Sequence, residues 1–175
     1  MLSKANLITI NPTKKNHVNL QIIKVIDNAH NHPFIINFYA PPNHKHNALI
    51  ELAEEIRSLD SNYSNFQLIV AGDYNLHHET NEIKNLCTRL GLTAISNEKK
   101  TRGNNTLDFF ISKNILQIET STGYQVGTSD HKYITLSFKT KGKLSRRLIS
   151  AFPKSALKKS LKETNLEATI SLMDI

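Results

Sequence analysis

The chain has 175 residues, 39% of them hydrophobic and 21% charged, which suits one folded domain and excludes a compositionally disordered chain. No apolar run approaches the length that spans a bilayer, so no membrane partner is expected, and a single cysteine, Cys87, excludes an intrachain disulfide. The net charge is +7, and residues from Lys141 onward hold eight bases and three acids, leaving 14 bases and 12 acids for the body. The N-terminal MLSKANLITINPTKK has no long apolar block followed by a small-residue cleavage site, so no secretory signal is read and an intracellular location is expected.

In chain order, Leu7–Ile10 and Val18–Ile26 have the β-branched, partly alternating pattern of strands. Phe34–Tyr39 is a third strand, ended by Ala40-Pro41-Pro42, because proline donates no ladder hydrogen bond. Asn47–Leu59 reads as a helix with Leu49, Leu52, Ile56 and Leu59 on one stripe, and with Glu51, Glu54, Glu55 and Arg57 left mainly for solvent. Leu68–Ala71 is a short apolar strand, interior to a sheet. A second helix over Glu79–Leu90 places Ile83, Leu86, Cys87 and Leu90 on one face, with Gly91 as its C-cap and Cys87 as a small core residue. Leu92–Ile95, Thr106–Ser112, Ile115–Ser121 and Tyr133–Lys139 are further strands, separated by polar loops at Asn97–Asn105 and Gly123–Lys132. Beyond Lys139, KGKLSRR reads as a basic linker and Ser155–Asn165 as a helix capped by Ser155. Such a basic tail contacts nucleic acid or is a solvated linker helix, and composition leaves both readings open. Strands with helices inserted between some of them indicate an α/β domain.

Polar groups recur at strand ends in NFYAPPN (37–43), GDYN (72–75), TLDFF (106–110) and TSDH (128–131). Taken singly, GDYN is equally a turn, Tyr39 a core aromatic and Ser129-Asp130-His131 a plain loop. Asp108 is harder to dismiss, because a carboxylate between Leu107 and Phe109 in a strand is costly to bury without partners. The chain also carries His30, His32, His44, His46, His77 and His78, but their spacings match no closed four-ligand zinc pattern.

Taken together and in order, NFYAP, GDYNLHH, TRGNNTLDFF and TSDH resemble the endonuclease/exonuclease/phosphatase superfamily, the fold of DNase I. The resemblance runs from about Phe34 to Phe138 and is nearest to the endonuclease domains of non-LTR, LINE-like retrotransposons. It implies an α/β fold: a DNase I-like two-sheet β-sandwich flanked by helices, occupying residues 1–140, with 141–175 as basic linker and helix. It also implies a metal-dependent phosphodiesterase acting on DNA, a monomer, accompanied by a reverse transcriptase domain in the full-length element and located in the nucleus.

The same resemblance implies roles for single residues. His131 would be the base or the phosphate-polarising imidazole, its ring held by Asp108. Asp73 would orient the attacking water or protonate the leaving oxygen. Asn75 would hold Asp73 and phosphate, and Tyr39 would donate to a phosphate oxygen. Asp130 would be a hard oxygen ligand for Mg²⁺ or Mn²⁺. Asn43 and Thr101 would contact phosphate or backbone, and His77 and His78 would line the DNA-facing rim.

The family's motif set starts earlier, with a strand ending in asparagine and a second carrying the metal-binding glutamate. Neither is found before Tyr39: Asp27 follows a strand in a turn, and the glutamates from Glu51 onward lie on a helix. The resemblance therefore implies a domain lacking its first strands and a weakly held metal. Two alternatives stand beside the endonuclease: a non-catalytic nucleic-acid-binding remnant, and a phosphatase of the same superfamily acting on a small phosphoester.

Overall fold

The computed structural model describes residues 6–10, 15–26, 33–96, 99–125, 128–139 and 146–151. Its elements are β1 (Asn6–Ile10), β2 (Asn19–Ile26), β3 (Phe34–Tyr39), a 3-10 turn (Pro42–His44), α1 (Lys45–Asn62), β4 (Leu68–Asp73), α2 (Asn81–Leu90), β5 (Thr93–Ile95), β6 (Asp108–Lys113), β7 (Leu116–Gln125), β8 (Lys132–Lys139) and β9 (Arg146–Ala151). A six-stranded sheet has the order β1-β2-β3-β4-β6-β5, and a three-stranded sheet the order β7-β8-β9. β3 and β4 are parallel, with α1 as their crossover, and the other named pairs are antiparallel.

Side chains that alternate along β4 and β6 feed two cores. Ile69, Ala71 and Phe110 meet Ile134, Leu136 and Phe138 of β8 between the sheets. On the opposite face, Leu68, Val70, Phe109 and Ile111 pack with Phe34, Ile36 and Phe38 under the apolar stripes of α1 and α2. Burial on both faces explains why β4 has no polar alternation until Asp73. Leu52 and Ile56 on α1 are fully buried, each contributing about 1.5–3 kcal/mol. The architecture is the expected α/β sandwich with helices against one face.

Gly72 fixes how closely β3 and β4 approach. It pairs with Phe38, and a Cβ added there would collide with the Phe38 carbonyl, so only glycine keeps the ladder intact at this position. As a result β4 runs two residues beyond Ala71 and carries Asp73 within the strand. Gly91 closes α2 in the left-handed region, at φ 62°, as its sequence position foretells.

Three expectations need correction. Glu51 and Glu55 are not left for solvent. Glu51 accepts the backbone N–H groups of Asn16 and His17 and pairs with the His17 ring at 2.9 Å. Glu55 is buried, with Lys15 at 3.8 Å. α1 thus clips the segment before β2 through its acids. Burial would raise the Glu51 carboxyl, but the His17 ring and the two backbone donors hold it below the usual carboxylate range. Second, Arg146 and Arg147, expected at the end of the basic linker, begin β9, which pairs with β8 along its length. β-branched and leucine residues in RRLISA are enough for an outer strand beside a formed partner. Third, β7 continues to Gln125, into the expected loop. The helix expected over Ser155–Asn165 lies outside the described residues.

Candidate active site

Four chain segments converge at one end of the sandwich: the C-terminal ends of β3 and β4 and the N-terminal ends of β6 and β8. Tyr39 pairs with Asp73, and Asp73 pairs with Asp108. Register partners present their side chains to the same side of a sheet, so these three line one row on the face that looks toward β8. Backbone bonds from Ala40 N–H to the Asp73 carbonyl, 3.0 Å, and from Tyr74 N–H to the Leu107 carbonyl, 3.0 Å, tie the strand ends together.

His131 enters this row from the second sheet. Its Nδ1 lies 2.8 Å from Asp108 Oδ2, which leaves Nε2 toward Asp73 Oδ2 at 4.0 Å. The first distance is a hydrogen bond and the second is too long for one. The ring and both carboxylates are buried, at 6%, 4% and 5% exposure. Buried charges need partners, and here each acid has the ring or a backbone donor. The Ser129 hydroxyl accepts the His131 backbone N–H at 3.1 Å and shapes the TSDH turn.

Burial is the main cause that pushes the Asp73 carboxyl up to about 6, and the nearby Asp108 adds to it, against the pull of the Asn75 backbone N–H, His131 and Arg102. For His131 burial opposes the charged ring, but the hydrogen bond and charge of Asp108 prevail and raise its proton affinity above that of a free imidazole.

Asn75 sits in the left-handed region at φ 48°, where asparagine is among the tolerated residues. That turn lets its backbone N–H donate to Asp73 Oδ1 at 2.9 Å, while its Nδ2 donates to the Ala40 carbonyl at 2.8 Å and to Asp73 Oδ2 at 3.4 Å. Its amide donors are therefore engaged inside the protein and hold Asp73. Thr101 is fully buried, and its hydroxyl accepts the backbone N–H groups of Leu107 and Asp108 at 3.1 and 3.2 Å. Of the two contacts expected for Thr101, the structure shows the one to backbone, where it fixes the start of β6. Tyr74, one residue past β4, is fully buried and stacks on Phe109 at 4.0 Å between ring centroids.

The other expected residues lie further out. Asn43 is exposed in the 3-10 turn after β3. His77 and His78 are half-buried with ring centroids 4.5 Å apart, and the His78 ring is 6.0 Å from that of Phe109. Asp130, expected as the metal ligand, is 64% exposed and bound to Arg102 Nε at 2.7 Å, which holds its carboxyl below the usual range. Among the described residues, the group whose ligand atoms could hold a cation is Asp73, Asp108 and His131, all within 4.8 Å of one another. Asp130 is outside it. Sequence reasoning passed over Arg102, although its place between Thr101 and the Gly103 turn in TRGNN was a signal.

Residues 33–135 match the endonuclease-reverse transcriptase family over more than half of the chain. The chain belongs to the endonuclease-reverse transcriptase family. Its structural neighbours are of the endonuclease/exonuclease/phosphatase, DNase I-like superfamily. It is similar to truncated TDP2 from Caenorhabditis elegans (TM-score 0.53, 14% identity, 76% of this chain and 65% of that one). It is also similar to the human Nocturnin catalytic domain (0.50, 17%, 76% and 60%) and to an endonuclease/exonuclease/phosphatase from Bacteroides vulgatus (0.51, 14%, 67% and 53%). The chain spans less than two-thirds of the length of each of these structures. Among curated proteins none matches the chain. At these identities the likeness to solved structures concerns fold alone, so the chemistry of this endonuclease-reverse transcriptase family member rests on its own residues. Among the described residues no helix is long and apolar enough to cross a membrane.

Proposed function

We propose that this chain is a divalent-metal-dependent phosphodiesterase that cleaves DNA by water attack at the Asp73–Asp108–His131 end of the sandwich. The observation that carries this reading is the His131 ring, anchored through Nδ1 by Asp108 at 2.8 Å and facing Asp73 through Nε2 at 4.0 Å. An anchored imidazole opposite a carboxylate with a raised pKa is a matched acid and base.

In this reading ionised Asp73 takes a proton from the attacking water as its oxygen bonds to phosphorus. The protonated His131 ring donates a hydrogen bond to the phosphoryl oxygen on which charge develops. The bond to the ester oxygen breaks in line, and that oxygen is protonated from solvent. Asn75 keeps Asp73 oriented, and Tyr39 donates to a phosphate oxygen, a role supported by its pairing with Asp73 on the same sheet face. The hard carboxylate oxygens of Asp73 and Asp108 suit a divalent cation. Mg²⁺ or Mn²⁺ held by Asp73 and Asp108 beside His131 would supply Lewis-acid stabilisation of phosphoryl charge.

The family match supports a nucleic-acid substrate over a small phosphoester, and the basic residues beyond Lys141 support DNA through counterion release. A reverse transcriptase domain as partner and a nuclear site of action belong to the same retrotransposon-type reading. Nicking of supercoiled plasmid with Mg²⁺, with EDTA, and by His131→Ala tests it. The expected result is nicking that needs both the metal and His131. Equal nicking by both proteins would show that this site is not responsible, and retained salt-sensitive DNA binding with no nicking would favour the non-catalytic binding remnant.

A further inference from the structure

Arg102 and Asp130 form a partly exposed ion pair beside His131, at the same end of the sandwich as Asp73 and Asp108. Arg102 Nε contacts Asp130 Oδ2 at 2.7 Å, and the other carboxylate oxygen, Oδ1, lies 3.7 Å from His131 Nε2. One carboxylate thus stands between a guanidinium and the outward nitrogen of the anchored imidazole. Two non-bridging oxygens of a phosphodiester present the same pair of acceptors.

The two members differ in how firmly they are held. Arg102 stands on a short hairpin closed by Arg102–Asn105 backbone bonds at 3.0 and 2.9 Å, with Gly103 at φ 52°. It also bridges to His131 through the backbone, and Thr101 accepts the Lys132 N–H at 2.8 Å. The Arg102 backbone is therefore held beside His131 by main-chain bonds. Asp130 is a turn residue, 64% exposed against 41% for Arg102. An ion pair this exposed adds little stability, so exchanging its carboxylate for a phosphate costs little. Arg102 also acts electrostatically on Asp73, Asp108 and His131, which puts its charge in the same field as the catalytic row.

We infer that Arg102 is a phosphate-binding residue of this site and that Asp130 is its resident anion, which a backbone phosphate of the substrate displaces. The inference rests on the reading of the site as a phosphodiesterase. It assigns Asp130 to competition with substrate instead of to metal binding.

The test measures, for the wild-type chain, Arg102→Ala, Arg102→Lys and Asp130→Asn, the affinity for a duplex oligonucleotide in EDTA and the KM for plasmid nicking in Mg²⁺. Expected are a loss of affinity and a rise in KM of about tenfold or more for Arg102→Ala, and a smaller change for Arg102→Lys, which keeps charge without the planar fork. Asp130→Asn is expected to bind several-fold more tightly in EDTA and to lower KM. Affinity unchanged in Arg102→Ala, or weakened in Asp130→Asn, overturns the inference. Nicking by wild type with Arg102-independent binding removes this inference and leaves the phosphodiesterase reading. Arg102-dependent binding without nicking does the reverse, and no DNA binding by wild type removes both.

Discussion

Asp73 and Asp108 face each other as register partners on β4 and β6, each almost wholly buried. Like charges placed opposite one another on a sheet repel, and the Asn75 backbone N–H, His131 and Arg102 offset that repulsion at Asp73. The pair is held as an arrangement by the His131 ring on Asp108 and by the Asn75 turn on Asp73. The raised pKa that Asp73 keeps there suits the proton transfer proposed for it.

With Asp73 as the proton acceptor, nicking rises with pH as its carboxyl ionises, at or below about 6, because a cation held beside it favours the ionised form. It then falls at higher pH as His131 loses its proton, above the ordinary imidazole value. The pH dependence of kcat/KM checks this. A rate that falls through about 6 would make Asp73 the acid that protonates the leaving oxygen.

A stability prediction follows from the same carboxyl. Its folded value of about 6 exceeds the ordinary 3.8, so the folded chain binds the proton more tightly than the unfolded chain. Its contribution to stability therefore falls as pH rises from about 4 to about 6 and stays low above. Asp73→Asn keeps an acceptor for the Asn75 N–H and removes the charge. At pH 7 it is expected to be inactive yet more stable, by on the order of 2 kcal/mol, as urea denaturation would show. A variant less stable than wild type would refute this account of Asp73.

Asp108→Ala leaves the buried Nδ1 of His131 without its acceptor. The expected cost is about 1–3 kcal/mol of stability, with nicking reduced about 10²-fold or more. The His131 proton affinity falls as well, because Asp108 is what raises it against burial. NMR titration of the ring would show the shift, and an unchanged ring titration would refute the anchoring role.

The order of the elements, the apolar stripes of both helices and the C-cap at Gly91 were legible, because periodicity of burial is written directly in residue type. The polar strand ends were legible as a set: GDYN, TLDFF and TSDH name the residues that the fold brings to one end. The Arg102–Asp130 pairing was not, because it depends on a tertiary approach of two turns 28 residues apart, and nothing in TSDH distinguishes a carboxylate aimed at a cation from one aimed at a guanidinium. Glu51 and Glu55 misled for a similar reason. The segment that buries them, around Lys15 and His17, lies far away in sequence, His17 being 34 residues from Glu51. The start of β9 was hidden because basic residues suit a linker as well as an outer strand.

Gly72→Ala tests the spacing of β3 and β4. The added methyl would meet the Phe38 carbonyl, and overpacking of this kind costs about 1–3 kcal/mol. Relief of the clash requires β4 to move relative to β3, which carries Asp73 away from Tyr39. Activity is therefore expected to fall by more than the loss of folded protein explains, measured as kcat on the fraction that remains folded by circular dichroism. Full activity per folded molecule would show that the close approach serves packing alone.

β4 and β6 are interior strands of the six-stranded sheet, with β1-β2-β3 on one side and β5 on the other. The outermost strands can fray without disturbing Asp73 or Asp108, so local openings at the edges are silent at the catalytic row. Amide hydrogens of β4 and β6 would exchange only through opening of the whole domain. Loss of the catalytic row and loss of the domain are then one cooperative event, and a mutation far out on β1 would lower the amount of working protein without altering how each surviving molecule works.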